Sequence, residues 1–513
     1  MNTKNSKKII STTVFAAIIV FSMLAISTAP ASAATKIQIE DAISDGLNYL
    51  IPSQNADGSW GASDKAAVTG LVLLKLQDHA RELRKDPYDN DPTSPTYYVY
   101  ADNVIAGMNY MLSKAYVVPI GMQTNCDPDS NGNGQGIVFK DPAHDTYTTG
   151  IALCALGVSN LARTYNIGGT DYTYAAIAQD AADWLAYAQV DAGTSQGGWY
   201  YTACDNCSSV ADNSNSGYAA LGLAYAESAG CTVPQCVKDE LDIWINTIQD
   251  PFDGGSWYQP GWSWVNTLKT GNLLQQMALC GDTYPDSQRV LDAKHYLERH
   301  WQDANQDPGW GYSLAHPDTQ AMFTIMKGLT NMGIDLIDTD GDGVQDNDWF
   351  NQEPSVGEDF ASALVDTQNG DGSWSNCAWG GSELCTAWAL LTLEKIGGQP
   401  PDPWKEINKE LDALIGNVSN ATMPNIIKQR LVDKLVYAKE LKDNAHEECL
   451  ADNFIGATKK LGVAENQVES FASMVKITRR ITPEDKASFL ADATEIIGKI
   501  EKLIEHIETT DSC

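Results

Sequence analysis

The chain has 513 residues and a formal net charge of −33, with 67 aspartates and glutamates against 34 lysines and arginines. This length is enough for a large core and for more than one domain. Because so acidic a surface repels phosphate backbones and anionic lipid, we expect no nucleic-acid partner.

The N-terminal segment has the order of a secretory signal peptide. Lys4, Lys7 and Lys8 precede an apolar run over residues 14–26, and small residues follow as far as Ala33. The apolar run is too short for a comfortable membrane span. We therefore predict a signal peptide over 1–33 and a mature chain from 34 that is secreted or held at the cell surface. It would have no integral membrane segment after cleavage; an uncleaved signal anchor is the alternative.

Helical patterns alternate in two kinds over residues 36–397. Runs of the first kind are apolar almost throughout, which predicts buried inner helices. Their starts are Thr69-Gly70, Thr149-Gly150, Ser216-Gly217, Thr270-Gly271, Gln320-Ala321 and Thr386-Ala387. Before each lies a run with apolar residues at three- and four-residue steps between charged ones, which is typical of a helix with one face in solvent. The sequence therefore predicts six hairpins, each made of an outer and an inner helix.

Within five of these hairpins a glycine turn ending in tryptophan joins the outer helix to the inner one. The turn reads "QNADGSW" at 54–60 and "QNGDGSW" at 368–374, and others end at Trp199, Trp257 and Trp310. In the second hairpin a Gly/Asn/Asp-rich loop over 121–144 stands in its place. Glycine allows the left-handed turn and aspartate bonds the local backbone. We expect the tryptophan to fill the seam between hairpins and the glutamine to bond exposed backbone groups, which is a structural role.

These repeats resemble the squalene-cyclase and prenyltransferase family, in which a Gln…Trp motif of this kind is diagnostic. The most specific segment is "QNGDGSWSNCAWGGSELCTAWALLTL", and the resemblance covers about 36–397. It implies an all-α fold whose domain, 34–397, is an (α/α)6 toroid of six helical hairpins. Six hairpins alone would also permit an open superhelix.

The cyclase chemistry of that family is poorly represented in this chain. Its bacterial members carry Asp-x-Asp-Asp-Thr-Ala, and the nearest match here is Asp318-Thr319, with His316 as a candidate proton partner. The more ordinary role of Asp318 is to cap the following inner helix. The Asp, Cys and His set that holds zinc in protein prenyltransferases has no match, so no zinc is expected.

Aromatic residues are concentrated in the later turns, where they suit stacking on sugar rings or apolar ligands. "WYQPGWSW" has more tryptophan than a seam needs. The predicted ligand-binding residues are Trp257, Tyr258, Trp262, Trp264, Trp310 and Tyr312.

An acidic loop, "DTDGDGVQDND" over 338–348, predicts a calcium site. Spaced carboxylates converge on a hard cation when glycine tightens the turn, and a main-chain carbonyl completes the shell. The predicted ligands are Asp338, Asp340, Asp342, the Val344 carbonyl, Asp346 and Asp348. The loop resembles thrombospondin type-3 and dockerin-like calcium loops, although Trp349 stands where an EF-hand has its bidentate glutamate. A second, weaker candidate loop offers Asp127, Asp129, Asn131 and Asn133.

Eleven cysteines in an exported chain predict disulfides. The pairs close in sequence are Cys204/Cys207, Cys231/Cys236 and Cys377/Cys385, and Cys449 and Cys513 are the remaining candidates for a clamp near the C-terminus. A proline-rich break over 397–404 predicts a linker at 398–404. Helical spacing beyond it predicts a small four- or five-helix bundle over 405–513.

These patterns favour an exported, calcium-stabilised toroid that binds a ligand without transforming it. A surface glycan, a lipid or a small apolar molecule are the candidate ligands. The alternative is an enzyme on the same fold, either a divergent terpenoid cyclase using Asp318 as its acid or a polysaccharide-degrading enzyme.

Overall fold

The computed structural model describes residues 33–510, apart from 84, 142–143, 204–207, 209, 263, 304, 312–316, 353–358, 376, 378–379, 396–402, 451–452 and 479–480. The predicted signal peptide and most of the predicted linker therefore lie outside the described residues. The chain divides into two units, Met1–Gly398 and Gln399–Cys513. Most of the described chain is helical, which confirms the all-α class. No described helix is both long and apolar enough to cross a membrane.

Helices and short antiparallel hairpins make up the first unit. In chain order they are α1 (Lys36–Leu50), α2 (Lys65–Glu82), α3 (Ala101–Leu112), β1 (Ala115–Pro119), β2 (Gln135–Phe139), α4 (Asp145–Gly157), β3 (Thr164–Ile167), β4 (Thr170–Thr173), α5 (Tyr174–Ala188), α6 (Asn213–Ser228), α7 (Gln235–Ile248), α8 (Thr267–Leu279), α9 (Gln288–Arg299), α10 (Thr319–Asn331), β5 (Leu336–Ile337), β6 (Asn347–Asp348), α11 (Phe360–Thr367) and α12 (Ser382–Leu393).

The odd-numbered helices α1 to α11 are the outer helices and the even-numbered α2 to α12 are the inner ones. In α7 the buried residues recur at steps of three and four, including Val237, Leu241, Trp244 and Ile248. Hydrophobic burial of that stripe holds the outer helix on the core while its other face stays in solvent. In α6, by contrast, every residue from Asn215 to Ala226 is buried.

Each inner helix packs against the next inner helix along the chain, and α12 packs against α2. Small residues allow these close approaches: a Cβ on Gly150 of α4 would lie 2.3 Å from the Tyr218 carbonyl oxygen of α6. At the last contact, Lys75 of α2 forms a buried ion pair with Glu394, which follows α12. The last inner helix along the chain, α12, is therefore in contact with the first, α2.

Five of the six turns between outer and inner helices share one hydrogen bond. In these five, a main-chain N–H near the turn's end donates to a side-chain hydroxyl on the inner helix, at 3.0–3.1 Å. The donor and acceptor residues are Trp60 and Thr69, Phe139 and Thr149, Trp199 and Ser216, Ser256 and Thr270, and Trp374 and Thr386. The threonine or serine of the sequence repeat therefore satisfies a buried turn N–H.

Glutamine links neighbouring hairpins. The Gln54 Nε2 donates to the Gly58 carbonyl in its own turn and to the Asn103 carbonyl of α3. Gln189 and Gln249 make the same two contacts with their own turns and with α7 and α9. Gln368 donates to Gly372 and, across the chain, to the Ala42 carbonyl of α1.

Two of the turns differ from the prediction. In the second hairpin the expected loop, 121–144, contains β2, which pairs with β1 just before the loop, in register from Ala115 opposite Phe139 to Pro119 opposite Gln135. Phe139 takes the place of the tryptophan. In the fourth, Ser256 and not Trp257 donates to the inner-helix threonine. The tryptophan follows the bonded glycine by three residues here, at Gly254 and Trp257, and by two in the other turns, such as Gly58 and Trp60, so that Ser256 takes the donor position.

Disulfides join Cys126 to Cys236 and Cys377 to Cys385. The predicted Cys377/Cys385 pair is confirmed. The predicted Cys231/Cys236 pair is wrong: Cys236 ties α7 to the β1–β2 loop, and Cys231 is a free thiol. Cys204 and Cys207 lie outside the described residues. Cys449 is disulfide-bonded, and Cys513 lies outside the described part of the chain.

In the second unit four helices surround a separate apolar core: α13 (Pro403–Asn420), α14 (Asn425–Leu450), α15 (Phe454–Ile477) and α16 (Pro483–Thr510). Each packs on the next, and α13 also packs on α16. At the start of α16 the Thr482 hydroxyl accepts from the Asp485 N–H.

Candidate ligand-binding cavity

A cavity of about 610 Å³ lies at the N-terminal ends of the inner helices. All six inner helices contribute to its wall, and each does so within its first two turns. Their lining residues are Ala67, Val68 and Leu71 of α2, Tyr147 and Ile151 of α4, Ser214 and Tyr218 of α6, Leu268 and Lys269 of α8, Gln320 of α10, and Leu384 and Trp388 of α12. The volume falls within the range of small-molecule sites.

Two adjoining groups of aromatic rings line this cavity. Tyr147 packs on Tyr201 and Tyr218, with ring centres 6.0 and 5.1 Å apart. In the neighbouring group Trp262 lies 5.4 Å from Tyr258 and 6.0 Å from Trp264, between ring centres. Burial raises the pKa of Tyr147, Tyr218 and Tyr258, so these phenols stay protonated at neutral pH. The walls are therefore apolar, with neutral hydroxyl groups.

Lys269 is the charged side chain of the inner helices that lines the cavity. It is buried, and its Nζ lies 3.4 Å from the centre of the Trp264 ring and 5.8 Å from that of Tyr258. Among the described residues its Nζ has no hydrogen-bond acceptor. Burial lowers the pKa of Lys269 to about 7, although the negative charge of Asp307 acts in the opposite direction. The contact with the Trp264 ring face replaces only part of the lost hydration.

A second lysine lies behind the wall. The Lys327 Nζ is 5.0 Å from the centre of the Tyr218 ring and, within the described residues, it too has no hydrogen-bond acceptor. Its burial lowers its pKa to about 7. At the rim, the Asp64 carboxylate, which also lines the cavity, is 2.7 Å from the His144 Nδ1 and so already has a partner. Lys269 in the wall and Lys327 behind it thus have amines that no described carboxylate contacts.

Three of the predicted ligand-binding residues line this cavity, namely Tyr258, Trp262 and Trp264. Trp257 does not; its Nε1 donates to the Asp250 carboxylate in the same turn. Trp310 is fully buried against Trp301 and Phe360, so it is a packing residue. Tyr312 lies outside the described residues.

The predicted catalytic acid, Asp318, is the N-cap of α10. Its Oδ1 accepts from the Ala321 N–H at 2.8 Å, and Asp318 is not among the residues that line the cavity. This is the capping arrangement that the sequence offered as the ordinary alternative. His316 lies outside the described residues.

The predicted calcium loop brings together Asp338, Asp340 and Asp342, with one carboxylate oxygen from each within 4.8 Å of the others. Asp338 accepts from the N–H groups of Gly341 and Gly343, which folds the loop between β5 and β6. Oxygen ligands at this spacing suit Ca²⁺.

The remaining predicted calcium ligands are less well placed. The Asp348 Oδ1 accepts from the Phe350 N–H at 2.9 Å in the turn after β6. Val344 and Asp346 are exposed in the loop.

The second candidate loop folds onto α5. The side-chain amides of Asn131 and Asn133 both donate to the buried Asp180 carboxylate, at 2.7 and 2.9 Å. Asp129 accepts from the N–H groups of Asn133 and Gly134, and Asp127 from that of Asp129. These bonds hold the loop in place with protein partners.

Sequence reasoning missed Lys269, Tyr147, Tyr218 and Trp388. Lysine beside the first turn of an apolar run was the available signal for Lys269, because a buried charge without a partner marks a functional site more often than a packing site. The other three are indistinguishable from core residues in the sequence. Only their common position in the cavity wall distinguishes them from core residues.

No family model matches this chain, and neither a curated protein nor a solved structure is similar to it.

Proposed function

We propose that the first unit is an (α/α)6 toroid, similar to squalene-cyclase and prenyltransferase repeats, that binds a small and mainly apolar ligand. The observation that carries this proposal is the cavity lined by all six inner helices and faced with tyrosine and tryptophan. Closure of the ring is supported by the packing of α12 on α2 and by the bond from Gln368 to the Ala42 carbonyl of α1.

Binding is favoured over catalysis, and a small molecule over a glycan chain. Alkene protonation requires a strong acid facing the cavity, and Asp318 is engaged as a helix cap. A recess formed by the first turns of six helices holds one compact molecule, whereas a polysaccharide requires a groove along the surface. Export from the cell remains part of the proposal, on the strength of the N-terminal sequence and the disulfides.

The test is a titration of purified protein with N-phenyl-1-naphthylamine, a neutral dye whose fluorescence rises in apolar surroundings. We expect saturable binding with one dye per chain. Ala67 lines the cavity and is half-buried, so Ala67→Trp should fill the space and weaken dye binding at least tenfold. Ala175→Trp, on the exposed face of α5, is the matched control and should bind as the unchanged protein does. Equal binding by both variants would place the dye elsewhere and refute the proposal.

We also propose that Asp338, Asp340 and Asp342 hold one Ca²⁺ that braces the loop between β5 and β6. Chelation should lower the melting temperature by a few degrees, and Asp340→Asn together with Asp342→Asn should remove that difference. Calorimetric titration that detects no calcium binding in the unchanged protein would contradict this site.

A further inference from the structure

We infer that the ligand of the cavity carries a single carboxylate and that Lys269 is the residue that anchors it. This inference rests on the proposed function, because it names the chemical class of the ligand for the same cavity. Its observations are the placement of the Lys269 amine, the chemistry of the walls and the distribution of charge around them.

The first observation is a buried amine that lacks a partner. Lys269 is 3 % exposed, it lines the cavity, and among the described residues no oxygen accepts from its Nζ. Lysine is almost never buried unless it is paired, because the ammonium loses its hydration. A carboxylate bound in the cavity would supply both the opposite charge and the missing acceptor.

The paired lysine on α2 shows the usual arrangement in this protein. The Lys75 ammonium is buried to the same degree, and the Glu394 carboxylate lies against it. Here the protein itself supplies the counter-charge, and the ion pair joins α2 to the residue that follows α12. At Lys269 the place for that counter-charge is open to the cavity.

The charges around Lys269 are consistent with a monoanion. Asp307 acts on Lys269 electrostatically, Lys327 lies beyond Tyr218, and the Asp64–His144 pair lies at the rim. Two amines, each partly protonated near neutral pH, match one negative charge better than the several charges of a polyphosphate. Protonated phenols such as Tyr258 can donate a further hydrogen bond to a carboxylate.

The rest of the wall specifies the other end of the ligand. Most of the cavity-lining side chains of α2, α4 and α12 are apolar, including Val68, Leu71, Ile151 and Leu384. Burial of alkyl or ring carbon against them would provide most of the affinity. Together these features describe an amphiphile with an apolar body and one acidic end, such as a long-chain or polycyclic carboxylic acid.

The experiment displaces N-phenyl-1-naphthylamine with three competitors of equal chain length: dodecanoate, 1-dodecanol and dodecyltrimethylammonium. We expect dodecanoate to displace the dye at a concentration at least tenfold lower than either of the other two, because only the carboxylate can form a charged hydrogen bond with Lys269. All concentrations must stay below those at which the competitors form micelles.

Lys269→Met keeps the length of the side chain and removes the charge. We expect this variant to bind dodecanoate at least tenfold more weakly while its affinity for 1-dodecanol is unchanged. Lys140→Met is the matched control, since Lys140 also lies over an aromatic ring, that of Tyr116, but is exposed. It should retain the preference for dodecanoate.

The outcomes separate the two proposals. Binding of the dye with equal displacement by dodecanoate and dodecanol overturns the inference and leaves the proposed function in place. Tighter displacement by the trimethylammonium compound also overturns it, because it identifies the aromatic rings as a cation site. Failure of the dye to bind refutes the proposed function itself. The wild-type comparison requires no variant, so the test holds even if Lys269→Met folds poorly.

Discussion

The first turn, residues 54–60, and the fourth, residues 249–264, begin from the same sequence pattern and end with different roles. Both use a glutamine to bond their own glycine and the next outer helix, and both donate a main-chain N–H to a threonine of the inner helix. In the first turn Trp60 occupies the donor position and is fully buried. In the fourth, Ser256 occupies it.

The presence of Ser256 in place of tryptophan at the donor position changes the role of the fourth turn. Without a tryptophan in the seam, the ring of Tyr296 packs against Gly255 there, and the aromatic residues that follow extend to the cavity. The comparison teaches that the repeat conserves a backbone arrangement, whereas the side chain at its end is free to serve packing or ligand contact. The inner helices differ in the same sense. Lys75, after the first turn, forms an ion pair, whereas Lys269, after the fourth, forms none with the residues that the structure describes.

The largest expected contrast is between these two lysines. Lys75→Met would leave Glu394 buried without its partner and should destabilise the protein by about 3–5 kcal/mol. Lys269→Met removes an uncompensated buried amine and should stabilise it at pH 7 by about 2 kcal/mol. Urea unfolding of both variants measures the difference, and a change of the same sign in both would remove the distinction.

The pH dependence of stability tests the same point. The pKa of Lys269 is about 7 in the folded protein and lies near 10.5 when unfolded, so the burial penalty is full below pH 7. Stability from this group therefore rises as the pH increases from about 7 toward 10.5. Between pH 7 and 9, before tyrosines ionise, Lys269→Met should show a smaller rise than the unchanged protein.

Trp60 and Trp257 should differ in how much each contributes to the stability of the protein. Trp60→Ala leaves a cavity in the seam against Gly107 and should cost about 4 kcal/mol. Trp257→Ala, at a half-buried position with one bond to Asp250, should cost less than about 1 kcal/mol. Thermal unfolding followed by circular dichroism compares them. Equal losses would show that Trp257 is also a packing residue.

The glycines should behave alike, because the backbone is what the turns share. Gly58 and Gly254 have φ near +85°, at +87° and +84°, and a Cβ on either would lie 2.4 Å from a carbonyl oxygen of the next outer helix. Each change to alanine should cost about 3 kcal/mol. Gly230, with φ +87° and open space around it, supplies the control and should cost about 1 kcal/mol.

Replacing the turn-bonding threonines should destabilise the protein less than the glycine changes, and by the same amount at both positions. Thr69→Val and Thr270→Val each remove the acceptor of a buried turn N–H while keeping the side-chain shape. Each should cost about 1–2 kcal/mol by urea unfolding. A markedly larger loss at one site would show that its turn depends on the bond in a way the other does not.

The smallest stability effect should accompany a clear effect on binding. Trp264→Ala should change the free energy of unfolding by less than about 1 kcal/mol, since the ring lies at the cavity wall and is half-buried. It should weaken binding of N-phenyl-1-naphthylamine about tenfold by removing an aromatic contact. Unchanged dye affinity would exclude Trp264 from the binding surface.

The sequence by itself determined the helices, because their signal is local. Apolar spacing in "VKDELDIWINTIQ" and "GYAALGLAYA" distinguishes a helix with one buried face from one buried throughout, and α7 and α6 follow that distinction. The recurring glutamine, glycine and threonine likewise predicted turns, since each residue acts within a few positions of itself.

What only the tertiary structure decided depends on direction and on contacts distant along the chain. One residue inserted between Gly254 and Trp257 placed Ser256 at the donor position, which no count of tryptophans reveals. Cys236 pairs with Cys126, 110 positions away, and not with the nearby Cys231. The cavity is formed by residues from six separate helices whose side chains look like core in the sequence. They meet around Lys269, whose Nζ has no hydrogen-bond acceptor among the described residues, and this is a property of packing alone.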